Sequence, residues 1–210
     1  GEEAIAAGTV DHLDEGDALA LDHRGTPPLI MRGADISALF HEFLGNEEGI
    51  CKGYGGHMHI FLRQKMTASS GIVGACGPLG AGFALALQVL HPGKLAVVYF
   101  GEGALNQGML LESFNLASAW KLPVLFVCKD NSLAITTPSP SVTAGSIPDR
   151  VKGFGIPFLR VDGLDVEAVW KAGSKAVRYI RAGKGPYFIH ARCVHLKGHF
   201  LGDPLLSLTG

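Results

Sequence analysis

Two short polar segments each follow an apolar, strand-like run, and their residue types suit a cation bound together with a phosphate. The first is Gly101-Glu102-Gly103-Ala104, and the second contains Asn131, 29 positions after Glu102. Carboxylate and amide oxygens are ligands that magnesium prefers, and glycines let a phosphate approach the backbone before a helix. An ordinary turn followed by an Asx turn is the alternative. Because both segments end consecutive predicted strands, we expect Glu102 and Asn131 to share one magnesium ion.

The segments that must position these residues alternate between strand and helix patterns. Short apolar runs predict buried parallel strands over Leu95–Phe100, Val124–Cys128, Phe158–Val161 and Tyr187–Ala191. Helical periodicity covers Ile36–Phe43, Pro78–Leu90, Gln107–Trp120 and Val166–Ala182. This alternation predicts an α/β fold with a doubly wound, mostly parallel sheet, in which ligands bind at the carboxyl ends of the strands. We interpret residues 1–210 as a single domain.

Composition excludes several classes of partner. The chain is 47% hydrophobic, and its 18 basic and 19 acidic residues leave a net charge of −1. Neither nucleic acid nor an anionic membrane is therefore an expected partner. The uncharged stretch Gly71–Leu90 has the length of a membrane span, but its five glycines and Pro78 favour a glycine-rich loop leading into a core helix.

The four cysteines have no metal-binding or redox spacing, and two lie in apolar, strand-like runs. Free, buried thiols are typical of a reducing compartment. We therefore expect a cytoplasmic protein, with an organelle matrix as the other reducing location.

With these segments in place, the chain resembles the alpha subunits of thiamine-diphosphate-dependent 2-oxo acid dehydrogenases and acetoin dehydrogenases. The family's Gly-Asp-Gly, followed about thirty residues later by Asn-Asn, is similar to Gly101-Glu102-Gly103 and Asp130-Asn131. Further similar stretches are Asn106-Gln107-Gly108, Asn115-Leu116-Ala117, Trp120-Lys121-Leu122-Pro123 and Val161-Asp162-Gly163.

The resemblance implies roles for residues outside the two polar segments. His23 and Arg24 resemble the basic turn that contacts the diphosphate, a role that suits the guanidinium fork; a surface Arg is the alternative. Gly71 and Val73 lie in the segment whose backbone holds the aminopyrimidine ring. Cofactor contacts are also implied for the following residues: Gly101, Glu102, Gly103, Ala104, Asn131, His195 and His199.

Catalytic roles are implied for His199, in the loop that faces the cofactor, and for His59, in a glycine loop ending in Met-His near the substrate. A structural His is the alternative at both positions. The implied magnesium ligands are Glu102, Asn131 and Leu133.

Several positions depart from the family pattern. Glu102 stands in place of Asp and moves the carboxylate outward by one methylene, or about 1 Å. A rigid octahedral magnesium site tolerates little displacement of a ligand. His195 stands in place of a phosphate-binding Arg, Thr26 in place of the His of acetoin-type members, and His57 in place of a small residue. These residues therefore do not distinguish between a 2-oxo acid and acetoin as the substrate.

The resemblance also implies partners and a larger protein. It implies a beta subunit in an α2β2 heterotetramer and a lipoyl-bearing acyltransferase, and the chain is expected to lack terminal segments of the full subunit. Two alternatives are a subunit of a split, transketolase-type transferase and a non-catalytic scaffold homologue. Magnesium-dependent binding of thiamine diphosphate would exclude the scaffold.

Overall fold

A parallel β-sheet forms the centre of the computed structural model, which describes residues 1–194, 196, 198–200 and 203. The strands are β1 (Ala18–Leu21), β2 (Phe61–Leu62), β3 (Thr67–Ser69), β4 (Ala96–Gly101), β5 (Val124–Asp130), β6 (Leu133–Ala134), β7 (Thr137–Pro138), β8 (Phe158–Asp162) and β9 (Tyr187–Arg192). In the described part of the chain, seven of them form one sheet in the order β2-β3-β1-β4-β5-β9-β8, and β6 and β7 form a separate hairpin. Only β2 runs antiparallel to its neighbour in the large sheet.

Helices cover both faces of this sheet. They are α1 (Glu3–Val10), α2 (Thr26–Met31), α3 (Ile36–Phe43), α4 (Cys76–Leu90), α5 (Gly108–Ala119), α6 (Ile147–Gly153) and α7 (Val166–Arg181). Successive residues of a strand point to opposite faces, so the strands contribute to two cores. Val97 and Val127 join α1, α2, α3 and α7 in one core, whereas Val98 and Phe126 join α4, α5 and α6 in the other.

The predicted strands and helices are confirmed with small shifts at their ends. Asp35 and Asp165 cap α3 and α7 by accepting backbone N–H groups of the first turn, and Gly183 takes a positive φ of 70° just after α7, as a C-terminal glycine does. The stretch Gly71–Leu90 consists of a loop at residues 71–75 followed by α4, as predicted. No helix in the described residues is both long and apolar enough to cross a membrane.

Strand β1 was missed by the sequence analysis. Its four residues, Ala18–Leu21, alternate alanine with leucine, and these residue types favour helices more than strands. It lies between β3 and β4, so it brings the turn at His23 and Arg24 next to the end of β4. The two-residue strands of the β6–β7 hairpin were missed because two residues are too few to show a periodic pattern.

Candidate functional site

The carboxyl ends of β1, β4 and β5 lie side by side, and each continues into a polar turn. Parallel pairing places Gly101 at the end of β4 opposite Lys129 of β5. In consequence, a carboxylate oxygen of Glu102 accepts the backbone N–H of Asn131 at 3.4 Å. The predicted meeting of the two polar segments is therefore observed.

Glu102 is buried, with 3% of its surface exposed. Its other carboxylate oxygen accepts the hydroxyl of Ser139 at 2.6 Å, so the β6–β7 hairpin lies over it. Burial raises the pKa of the Glu102 carboxyl, and the hydrogen bond from Ser139 opposes this rise. A side chain at Gly103 would collide with Cβ of Ala134 on the same hairpin. Close approach of the hairpin is thus the reason for glycine there.

The second polar segment presents oxygen atoms at the same edge. The side-chain oxygen of Asn131 accepts the N–H of Leu133 at 3.0 Å, which forms the Asx turn considered above. In the hairpin, Ser139 N–H donates to the Ser132 carbonyl, so Leu133 and Pro138 form a non-hydrogen-bonded pair. The Leu133 carbonyl therefore points away from the opposite strand.

These oxygen types fit a magnesium ion. A carboxylate, an amide oxygen and a backbone carbonyl are hard ligands, and they are supplied by Glu102, Asn131 and Leu133. In the described residues no three His, Cys, Asp or Glu side chains lie together as a metal site.

His190 supports the second segment from the neighbouring strand. Its Nε2 lies 2.7 Å from Asp130, and this hydrogen bond lowers the pKa of the Asp130 carboxyl. Asp130 also accepts the N–H of Ser132 at 3.0 Å. The pair thus fixes the residues on both sides of Asn131.

The turn after β1 presents basic groups to this edge. The guanidinium of Arg24 lies 3.3 Å from Nδ1 of His199, and the rings of His23 and His199 pack with centroids 5.2 Å apart. Burial lowers the pKa of His23. Its Nε2 is buried and makes no hydrogen bond to the described residues. Because a buried polar atom without a partner is costly, this atom fits an oxygen acceptor such as a phosphate.

Lys129 connects the turn after β1 with the turn after β5, and sequence reasoning missed it. Its ammonium group is buried and lies 2.7 Å from Glu2 and 2.9 Å from Asp22. Burial alone would lower the pKa of Lys129, but the two carboxylates outweigh burial and raise it. Asp22 also accepts the backbone N–H of Arg24 at 3.0 Å. A lysine in an apolar strand, two residues before the predicted magnesium ligand, was the available signal.

The glycine loop and the segment at Gly71 are also brought together. A side chain at Gly71 would contact Sδ of Met58 and Nε2 of His59. Val73 beside them is 55% exposed. The two stretches assigned separately to the substrate and the aminopyrimidine ring therefore form one surface.

The structure thus unites the predicted site residues in two groups. His23, Arg24 and His199 form one group with the ends of β4 and β5, and His59, Gly71 and Val73 form the other. Ala104 is buried in a 3₁₀ helix, Glu102–Asn106, which precedes α5 and was not predicted. His195 lies outside the described residues.

Comparison with known proteins identifies the family. The sequence profile described as "Dehydrogenase E1 component" matches residues 1–207. The alpha subunit of acetoin:2,6-dichlorophenolindophenol oxidoreductase from Cupriavidus necator is 43% identical over 205 residues, which are 97% of this chain and 62% of that relative. The alpha subunit of the pyruvate dehydrogenase E1 component from Zymomonas mobilis is 39% identical over 207 residues, 97% of this chain and 58% of the relative.

Solved structures show the same fold at low sequence identity. Transketolase from Campylobacter jejuni matches with a TM-score of 0.67 and 18% identity, over 90% of this chain and 32% of its own. Benzoylformate decarboxylase from Polynucleobacter necessarius matches with a TM-score of 0.61 and 16% identity, over 93% and 34% of the two chains. The chain spans about three-fifths of the length of the curated relatives it matches. Since the family profile covers nearly all of it, the chain belongs to the dehydrogenase E1 component family.

Proposed function

We propose that this chain is the diphosphate-binding part of the alpha subunit of a thiamine-diphosphate-dependent 2-oxo acid dehydrogenase. The enzyme would decarboxylate a pyruvate-like 2-oxo acid or cleave acetoin, and would pass the acyl group to a lipoyl-bearing acyltransferase. One observation carries the proposal: three neighbouring strands end in turns that bring a basic pair, a buried carboxylate and an amide oxygen to one edge. The names of the relatives, which are alpha subunits of an acetoin oxidoreductase and of the pyruvate dehydrogenase E1 component, support the same reaction.

The basic pair would hold the diphosphate. His23 offers a buried ring nitrogen with no partner among the described residues. Arg24 offers a guanidinium, and its backbone N–H donates to the carboxylate of Asp22. Among the described residues, a Cβ placed on Gly101 would meet only the Lys129 carbonyl, at 4.0 Å. The backbone there leaves room for a phosphate, as a glycine at a strand end does.

Magnesium would bind to the oxygen atoms of Glu102, Asn131 and Leu133. Ser139 now donates to Glu102 and leaves it one oxygen whose contact with Asn131 N–H is long, at 3.4 Å. Because burial raises the pKa of Glu102, a cation beside it would stabilise the charged carboxylate.

The remaining chemistry divides between the cofactor and two histidines. When bound, thiamine diphosphate supplies a thiazolium ring that acts as an electron sink for loss of the carboxyl group. His59, beside Gly71, would face the substrate. His199, held near Arg24, would deliver a proton to a sulfur of the lipoyl ring during acyl transfer.

A partner subunit follows from an exposed apolar surface as well as from the resemblance. Helix α4 has no charged residue, and its outer side with the preceding loop exposes large apolar residues: Ile72, Val73, Leu85, Val89 and Leu90. Such a surface is typical of an interface. It supports a beta subunit in an α2β2 heterotetramer, and the free cysteines support a cytoplasmic location.

The test is a cofactor titration and two assays on this chain assembled with its partner. Magnesium-dependent binding of thiamine diphosphate, with carbon dioxide release from pyruvate or acetaldehyde release from acetoin, is the expected result. Tight cofactor binding with ketol transfer alone would indicate the transketolase-type alternative. Absence of cofactor binding would indicate the scaffold.

A further inference from the structure

Glu42, near the end of α3, is a buried carboxylate that lies outside the site described above. It has no exposed surface, and it accepts three backbone N–H groups of the loop that follows the helix. One oxygen accepts from Cys51 at 2.6 Å and from Gly53 at 3.0 Å, and the other accepts from Gly55 at 2.6 Å. Hydrogen bonds to an ionised group are stronger than those between neutral groups. The loop is therefore organised around one charge.

The glycines of this loop are explained by the same carboxylate. A Cβ on Gly49 would lie 2.5 Å from a Glu42 oxygen, and one on Gly55 would overlap the His59 carbonyl. Gly53 has a φ of 78°, a conformation that side chains disfavour. These close approaches leave the loop no room for larger residues while it encloses the carboxylate.

The enclosed loop leads directly to the Met-His pair. His59 N–H donates at 3.0 Å to the carbonyl of Gly55, the residue whose own N–H donates to Glu42. On the other side, the Ser69 hydroxyl donates to the Met58 carbonyl at 3.0 Å. Held from both sides, Met58 and His59 lie against Gly71.

We infer that Glu42 is a positioning residue for the substrate side of the site, because its charge fixes the loop that places His59 beside Gly71. The role of His59 toward substrate rests on the proposed function. The fixing of the loop by the carboxylate does not, so the two parts can be tested separately.

Hydrogen exchange on the full chain tests the first part without any activity. In Glu42→Gln the side chain keeps its shape, but one acceptor oxygen becomes an NH2 group facing backbone N–H donors. Exchange of the amides at Cys51, Gly53 and Gly55 is expected to accelerate by about tenfold or more, since hydrogen bonds to a charged acceptor are lost. Amides of β4 and β5 should be unchanged. The matched control is Glu47→Gln, an exposed carboxylate in the same loop, which should leave all of these rates unaltered.

Either of two results would overturn the inference. Native exchange of the three amides in Glu42→Gln would show that the charge does not hold the loop. Equal acceleration in the loop, β4 and β5 would show a general structural role. Glu42→Asp keeps the charge on a shorter side chain, so its loop amides should exchange at rates between those of the wild type and those of Glu42→Gln. Rates equal to those of Glu42→Gln would argue against a role of the charge.

Kinetics on the assembled enzyme test the second part. If His59 faces the substrate, Glu42→Gln should lower kcat/KM for the 2-oxo acid or acetoin about tenfold or more, with the dissociation constant of thiamine diphosphate unchanged. Unchanged kcat/KM despite faster loop exchange would reject positioning of His59. Absence of activity in the wild-type enzyme would contradict the proposed function but would leave the organisation of the loop by Glu42 untouched.

Discussion

The ammonium group of Lys129 lies 2.9 Å from a carboxylate oxygen of Asp22 and joins two turns that are more than a hundred residues apart in the chain. Asp22 in turn accepts the N–H of Arg24, and Lys129 precedes Asp130 and Asn131. This buried contact sets the position of the basic turn relative to the oxygen-rich one. Any ligand that bridges the two turns depends on it.

Replacement of Lys129 should therefore destabilise the fold. Lys129→Met leaves Asp22 and Glu2 without their buried cation, and the free energy of unfolding should fall by about 3–5 kcal/mol. Chemical denaturation measures this change in the free energy of unfolding. Lys65→Met is the control, because Lys65 pairs with the exposed Glu15, so this substitution should change the free energy of unfolding little. A loss in Lys129→Met no larger than in this control would contradict the role.

A rescue variant separates the charge from packing. In Lys129→Met combined with Asp22→Asn and Glu2→Gln, no buried charge is left unpaired, so most of the stability should return. The Asn side-chain oxygen can still accept the N–H of Arg24. A triple variant as unstable as Lys129→Met would show that the packing of Lys129, not its charge, is what matters.

His23 should make both the stability of the protein and its affinity for the diphosphate depend on pH. Burial lowers its pKa from the ordinary 6.5, so the folded state binds a proton less readily than the unfolded state. Stability is therefore lost as pH falls through about 6.5 toward the lowered folded pKa, and His23→Gln should flatten that loss.

A diphosphate beside His23 would raise the pKa again. Binding near pH 6.5 should thus take up protons, a quantity given by calorimetry in buffers of different ionisation enthalpy. In His23→Gln the uptake should decrease. Equal proton uptake in the two proteins would place the diphosphate away from His23.

His199 should affect acyl transfer more than decarboxylation. Its ring lies beside Arg24 and His23, and its backbone N–H donates to the buried Asp203 at 2.6 Å. His199→Ala should slow lipoyl acylation by about 10²-fold or more if the imidazole is a general acid, while decarboxylation with an artificial electron acceptor changes much less. Both rates and the cofactor affinity are measured on the one variant. Equal losses in both rates would indicate that His199 only orders the diphosphate site.

The isolated chain should have little activity. In the proposed function it supplies one side of the cofactor site, and the apolar surface of α4, which includes Leu85 and Val89, is exposed. Addition of the beta subunit should restore decarboxylation and give an α2β2 mass by light scattering. Full activity from a chain shown by mass spectrometry to be free of partners would contradict this expectation.

Local patterns were sufficient for four strands of the sheet, β4, β5, β8 and β9, and for the pairing of Glu102 with Asn131. Those strands are apolar runs of five to seven residues, and parallel pairing then places their ends together. The sequence marks Lys129 as unusual, because it is a lysine in an apolar strand, but the partners of Lys129 and of Glu42 depend on contacts set by tertiary structure. Lys129 meets Glu2 and Asp22 across the sheet edge, and Glu42 becomes buried only when the following loop folds back over it.

The central claim is that this edge of the sheet binds thiamine diphosphate through magnesium held by Glu102 and Asn131. Calorimetric titration of the assembled enzyme, with and without magnesium, tests it directly on the wild type, Glu102→Ala and Glu102→Asp. The account predicts magnesium-dependent binding that Glu102→Ala abolishes and that Glu102→Asp preserves or tightens, because the shorter carboxylate restores the family's reach. Unchanged affinity in Glu102→Ala would contradict it.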